Sequence, residues 1–199
     1  MKSFSYYIEK SFSYNQYINL INDLLAQGKT TGPEQTPFLI EYTNMNLVRM
    51  NRLDKTINLN PELIGILNNI KNEYYWLVIT EAWCGDAAQS IPIFNKITQY
   101  NPNIELRLIL RDEEPELINN YLTNGTKSIP ILICLDKFNL KEIFKWGPRP
   151  KELINFVNEF KKLPDFDKNE LIKNIQIWYN KDNTQEIQKE LTELLKLLD

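Results

Sequence analysis

Residues 80–97 read TEAWCGDAAQSIPIFNKI and hold the side chain best suited to chemistry, Cys84. It follows a short apolar, β-rich run and opens a helix-compatible stretch. A helix N-terminus carries about half a positive charge and unpaired N–H groups. Both stabilise a thiolate over a thiol and lower the pKa below the free value near 8.5. The end of a rigid strand holds the sulfur at a fixed, partly exposed point. Trp83 beside it supplies a flat contact surface, and Gly85 leaves space for a partner chain. Asp86 works the other way, because its carboxylate raises the thiol pKa by charge repulsion. Sequence alone leaves open which effect wins.

Composition removes much competing chemistry. The 199 residues contain two cysteines and no histidine. No Ser-His or Cys-His nucleophile pair, imidazole acid/base or histidine-ligated zinc site is possible. Two cysteines make neither a four-cysteine metal site nor a multi-disulfide framework, so neither a metal nor a cofactor is expected. Apolar residues are 43% and charged residues 25%, enough for a sizeable core. A net charge of −3, from 23 basic and 26 acidic residues, gives no global attraction to nucleic acid or to an anionic membrane. The N-terminal MKSFSYYIEK has no apolar signal region, and no window approaches a membrane span. The expectation is a cytoplasmic protein with reduced thiols.

The elements that must position Cys84 follow from periodicity. Ser13 caps a helix with Tyr17, Leu20, Ile21, Leu24 and Leu25 on one face, ended by Gly28. Residues 28–37 are loop; their GKT is no phosphate loop, since Asp23 stands where that motif needs glycine. A second helix is predicted over about 43–55, with Arg49 and Arg52 as a solvated face. Residues 38–42 are left open as an edge strand. Pro61 opens a third helix to residue 70. Strands at 75–80 and 104–110 flank a helix at about 85–100, a βαβ unit with parallel strands. A short helix at 116–122 follows, then a hairpin of strands 131–135 and 140–145 turning at DKFN. Further helices cover 150–163, 168–180 and 184–198. The apolar stripe Ile187, Leu191, Leu194, Leu195, Leu198 in the last packs on the domain or forms an oligomer surface.

With these elements placed, the chain resembles the thioredoxin superfamily, whose motif is W-C-G-P-C with a proline further along the same helix. Trp83, Cys84, Gly85 and Pro92 match. TKSIPI at 126–131 resembles the family's cis-proline segment, here Ile129-Pro130, 46 residues after Cys84. Trp146-Gly147-Pro148 resembles the glycine before the family's last helix. The resemblance covers 60–163. It implies a thioredoxin fold, an α/β mixed sheet flanked by helices, with helical extensions at 1–59 and 164–199. It also implies that Cys84 is catalytic, while Trp83, Gly85, Asp86, Ile129, Pro130 and Gly147 form the substrate surface.

The departures shape the function. Ala87 replaces the second motif cysteine, so Cys84 has no local resolving thiol. Val78 stands where thioredoxins bury a carboxylate; Glu81 is a substitute, though three residues along a strand point to opposite faces. Cys134 lies four residues beyond Pro130, roughly 13 Å along a strand, beyond the reach of a disulfide. The leading expectation is thiol–disulfide exchange through Cys84 alone, with a protein or low-molecular-weight disulfide and an external resolving thiol. Glutaredoxin-like monothiol proteins are the precedent, although their motif is C-G-F-S. The alternative is a redox-inactive protein-binding module presenting Trp83, the Pro130 loop and Gly147. A peroxidase is weaker, since Glu81 stands where peroxiredoxins have threonine and peroxide reduction also needs an arginine near the sulfur, for which Arg111 and Arg149 are candidates that sequence does not position.

Overall fold

The computed structural model describes residues 2–198. In chain order the elements are α1 (Phe4–Lys10), α2 (Tyr14–Ala26), α3 (Pro37–Thr56), α4 (Pro61–Leu67), β1 (Tyr74–Thr80), α5 (Gly85–Tyr100), β2 (Ile104–Leu110), α6 (Pro115–Asn119), β3 (Ile131–Asp136), β4 (Glu142–Trp146), α7 (Lys151–Phe160), α8 (Lys168–Asp182) and α9 (Gln185–Leu195). This is the mixed α/β arrangement of the thioredoxin fold with helical additions at both ends.

The four strands lie in the order β2-β1-β3-β4. β1 runs parallel to β2, with Tyr74 opposite Ile104 and Thr80 opposite Leu110. β3 is antiparallel to both β1 and β4. The sequence of β1, YYWLVIT, is continuously apolar rather than alternating, as suits a central strand covered on both faces. Trp76, Leu77, Val78 and Ile79 are fully buried. The hairpin turn is built by Asp136, whose Oδ1 accepts the N–H groups of Phe138 and Asn139, both at 2.9 Å. An isolated bridge pairs Phe12 with Leu108, so the N-terminal segment reaches β2.

Local chemistry sets the helix starts. Ser13 and Gln16 form a capping box at α2. Thr36 caps α3 with Pro37 at its first position, and Asn60 caps α4 with Pro61 in the same place. The Thr36-Pro37 start makes α3 longer than its apolar spacing predicts. Residues 38–42 are its first turns and contribute no strand. Arg49 is half-buried rather than on a solvated face: it donates to Asn46 Oδ1 at 2.7 Å and lies 5.2 Å from the Tyr42 ring centre. α3 packs against α5 and α2, and α9 against α4. In α9, Ile187, Leu191 and Leu195 are buried within the chain, and Leu194 is half-buried against the same core. Among the described residues no helix is long and apolar enough to cross a membrane.

Candidate functional site

β1 ends at Thr80, and residues 81–84 turn into α5. The Cys84 N–H donates to the Glu81 carbonyl at 3.0 Å. Strand alternation therefore does not reach Glu81, and the opposite-face argument made from sequence does not apply. Instead Glu81 is fully buried, and its Oε1 accepts the Asp112 N–H at 2.9 Å. Burial pushes its carboxyl up to about 7, against the Asp112 N–H and the neighbouring Thr31 hydroxyl. The turn is clamped at Ala82: its N–H donates to Thr31 Oγ1 and its carbonyl accepts Asn46 Nδ2, each at 2.9 Å. Thr31 comes from the loop before α3 and Asn46 from the buried stripe of α3 itself.

Cys84 is the N-cap of α5. Its Sγ accepts the Ala87 N–H at 3.4 Å and donates to the Ile129 carbonyl at 3.3 Å. The helix terminus thus meets the sulfur as its position implies. The thiol is nevertheless only 7% exposed, not partly open. Burial and then the Asp86 charge push its pKa up to about 12; the Ala87 and Asp86 N–H groups and Arg149 pull the other way and lose. The lowering expected from the helix end alone is reversed.

Two helices outside the motif supply the cover. Tyr179 of α8 donates to Asp86 Oδ1 at 3.0 Å. Gln176 of α8 accepts from Gln89 at 2.8 Å. The space beside Gly85 is shared with α3 and α8: a Cβ there would lie 3.0 Å from Gln176 Nε2 and 3.1 Å from Tyr42 Cε1. Asp86 also pairs with Arg149, Oδ2 to Nη2 at 2.6 Å. Burial opposes the guanidinium charge, but the Asp86 carboxylate outweighs it and holds Arg149 more firmly protonated. Burial and Asp86 together raise the Tyr179 phenol well above its ordinary range.

Beside this network opens a cleft of about 510 Å³, within the range of small-ligand sites. Trp83, Cys84, Gly85, Asp86 and Ile129 line it, with Phe38, Leu39 and Tyr42 of α3 and Ile172 and Ile175 of α8 opposite. Arg111 and Arg149 both reach it; the Arg111 guanidinium stacks 4.8 Å from the Trp83 ring centre while binding Asp112. Pro130 and Gly147 do not line the cleft. The Ile129-Pro130 and Gly147-Pro148 peptide bonds are both cis. Gly147, at φ +120°, presses on the Pro130 carbonyl, where a Cβ would come within 2.2 Å of the oxygen. It faces a separate hollow with Tyr121 and Leu122. Cys134 is fully buried in β3, and neither cysteine is in a disulfide. Among the described residues no cluster of three or more His, Cys, Asp or Glu side chains is placed to hold a metal.

Sequence reasoning missed Thr31, Tyr42, Asn46, Gln176 and Tyr179. Only Asn46 carries a signal: it falls in the buried file Thr43, Asn46, Met50, Leu53, where an amide needs a partner.

A thiol-capped helix after a central strand, on a β2-β1-β3-β4 mixed sheet, defines a thioredoxin-fold protein with a single site cysteine. The Thioredoxin family model matches residues 32–161, which take in α3 to α7, and the chain belongs to that family. No curated protein matches the sequence. Among solved structures, a protein of unknown function from Pseudomonas aeruginosa aligns with a TM-score of 0.68 at 15% identity, covering 98% of each chain. An HIV epitope-scaffold aligns with a TM-score of 0.57 at 16% identity, covering 93% of this chain and 98% of that one. At these identities the likeness is one of fold.

Proposed function

We propose that the protein is a thioredoxin-fold binding module, with the cleft beside Trp83 as its docking surface and no disulfide turnover at Cys84. One observation carries this reading: the cleft is open and apolar on Phe38, Leu39 and Ile172, yet the thiol at its edge is 7% exposed and donates its S–H to the Ile129 carbonyl. A protonated thiol is a poor nucleophile, and Ala87 offers no resolving group. The occupant that fits is an extended segment of a partner protein laid across Trp83. Two free cysteines suit a reducing, cytoplasmic environment.

The second reading, exchange through Cys84 alone, is favoured by the sulfur's contribution to the cleft wall. There the thiolate would attack a disulfide, forming a mixed disulfide and releasing one thiolate. An external thiolate would then attack the substrate sulfur of the mixed disulfide, releasing Cys84 as the thiolate and carrying the second half away as a disulfide with the external thiol.

Turnover separates the two. The Cys134→Ser chain is given glutathione disulfide and a chromogenic aromatic disulfide, with reduced glutathione as the external thiol. The binding reading expects at most one slow equivalent and no sustained turnover. Sustained turnover abolished by Cys84→Ser establishes the second reading. Docking itself is tested with a displayed random-peptide pool, whose binding should be lost in the Phe38→Ala/Trp83→Ala chain.

A further inference from the structure

The part of the cover over Cys84 that α8 supplies is lightly fastened. Residues 161–170 are exposed at every position. α8 then buries a single file, Leu171, Ile175 and Tyr179, at four-residue spacing, with only Trp178 half-buried against the core beside it. Such a file is narrower than the stripe a core helix presents. Three polar contacts tie α8 to the elements beneath: Tyr179 to Asp86 at 3.0 Å, Gln89 to Gln176 at 2.8 Å, and Arg52 to Asn180 at 3.0 Å. Ile177, on the same helix, remains 48% exposed.

Both ends of α8 are built to turn. The exposed run precedes it, and Asn183 and Thr184 follow it, both left-handed at φ 49° and 71°. Beyond that turn the fastening is firm. α9 buries Ile187, Gln188, Leu191, Thr192 and Leu195. Gln188 accepts from the Asn60 N–H at 2.8 Å and donates to the Asn58 carbonyl at 3.1 Å.

We propose that α8 is a displaceable strap: it lifts as one unit between residue 161 and the Asn183-Thr184 turn while α9 stays docked, and this motion uncovers Cys84 and Asp86. Local opening of a weakly fastened element, with the core intact, is an ordinary property of folded proteins. The strap also forms one cleft wall through Ile172 and Ile175, so lifting it widens the cleft. The proposal holds whether the uncovered site binds a segment or exchanges disulfides.

The test is thiol labelling of the full wild-type chain with a maleimide, in urea from zero to just below the unfolding transition. Mass spectrometry of peptides reads Cys84 and Cys134 separately. Cys134 is fully buried in β3 and reports global opening. Cys84 is expected to label at least about tenfold faster, with a urea slope below half that of Cys134, since a small opening exposes little surface. The α8 amides should exchange with the Cys84 slope and the α9 amides with the Cys134 slope. Tyr179→Phe, which removes one tie and keeps the ring, should speed Cys84 several-fold and leave Cys134 unchanged. Equal slopes for the two cysteines overturn the proposal, as does a Cys84 rate indifferent to Tyr179→Phe. If Tyr179→Phe instead unfolds the chain, Cys134 speeds up equally and the wild-type slopes decide. Disulfide turnover would refute the binding reading without touching these slopes.

Discussion

Asp86 Oδ2 and Arg149 Nη2 lie 2.6 Å apart, joining the second residue of α5 to the segment just before α7. The pair sits over Cys84 and decides how much of the Asp86 charge the sulfur feels. Removing one partner of such a pair leaves the other charge poorly solvated. Arg149→Met is expected to cost on the order of 2 kcal/mol in urea unfolding, less than a fully buried pair because the Arg149 side chain keeps 27% of its exposure. It should also push the Cys84 thiol further up, while Asp86→Asn should bring it down. Alkylation rate against pH, in a Cys134→Ser background, reads both shifts. The same direction in both variants would refute the assignment.

Ala87 is buried at 1% exposure and donates its N–H to the Cys84 sulfur at 3.4 Å. Residues three apart in a helix have Cα atoms about 5 Å apart, inside the disulfide range. Ala87→Cys should therefore form an internal disulfide under mild oxidation, seen as a loss of two protons and of both alkylatable site thiols. The extra sulfur crowds the core and should cost about 1 kcal/mol in the reduced form. Two thiols that stay free after oxidation would show that more than one missing atom separates this site from a dithiol site.

The sheet and the cysteine-bearing helix were legible because their signals are local. The unbroken apolar run of β1, the helix-compatible stretch behind it and the Asp136 turn are each written within a few residues. The environment of Cys84 was not, because its partners come from far along the chain. Tyr42, Arg149, Gln176 and Tyr179 belong to three segments that only folding brings together. Ordinary exposed-face chemistry describes each of them equally well in sequence. Glu81 departs from strand periodicity for a different reason: β1 ends at Thr80 and the chain turns at once, so alternation does not extend to residues 81–84. The pKa of Cys84 follows the same division. The helix terminus is local and visible, whereas burial under α3 and α8 is not, and burial dominates.

Gly147 is held at φ +120° with its Cα against the Pro130 carbonyl. An alanine there meets both an unfavourable backbone region and an oxygen 2.2 Å from its Cβ. Neither side can yield easily, since both are backbone. Gly147→Ala should lower stability by about 3 kcal/mol or more in urea unfolding. Gly65, with open space around it and no positive φ, is the control: Gly65→Ala in α4 should be neutral or stabilising by about 1 kcal/mol. Equal effects at the two positions would remove the packing argument for Gly147.

Glu81 gives the chain a pH dependence whose sign can be stated. Its carboxyl is fully buried, with Oε1 on the Asp112 N–H and no hydrogen-bond partner for Oε2. Thr31 and the Asp112 N–H lower its pKa, as does Arg111, while burial and the Asp112 charge raise it, to about 7 from an ordinary 4.5. Between those values the folded chain keeps a proton that the unfolded chain has lost. Folded stability therefore falls as pH rises from 4.5 to about 7 and levels off above. The shift corresponds to about 3 kcal/mol at most. Glu81→Gln keeps an oxygen for the Asp112 N–H and removes the ionisation. Its stability relative to wild type should thus rise with pH through that window and stay flat below pH 4. Urea unfolding of both chains at pH 4, 5.5, 7 and 8 measures the difference. A difference that is constant with pH would mean that Glu81 titrates alike in the folded and unfolded chains, and that its burial carries no electrostatic cost.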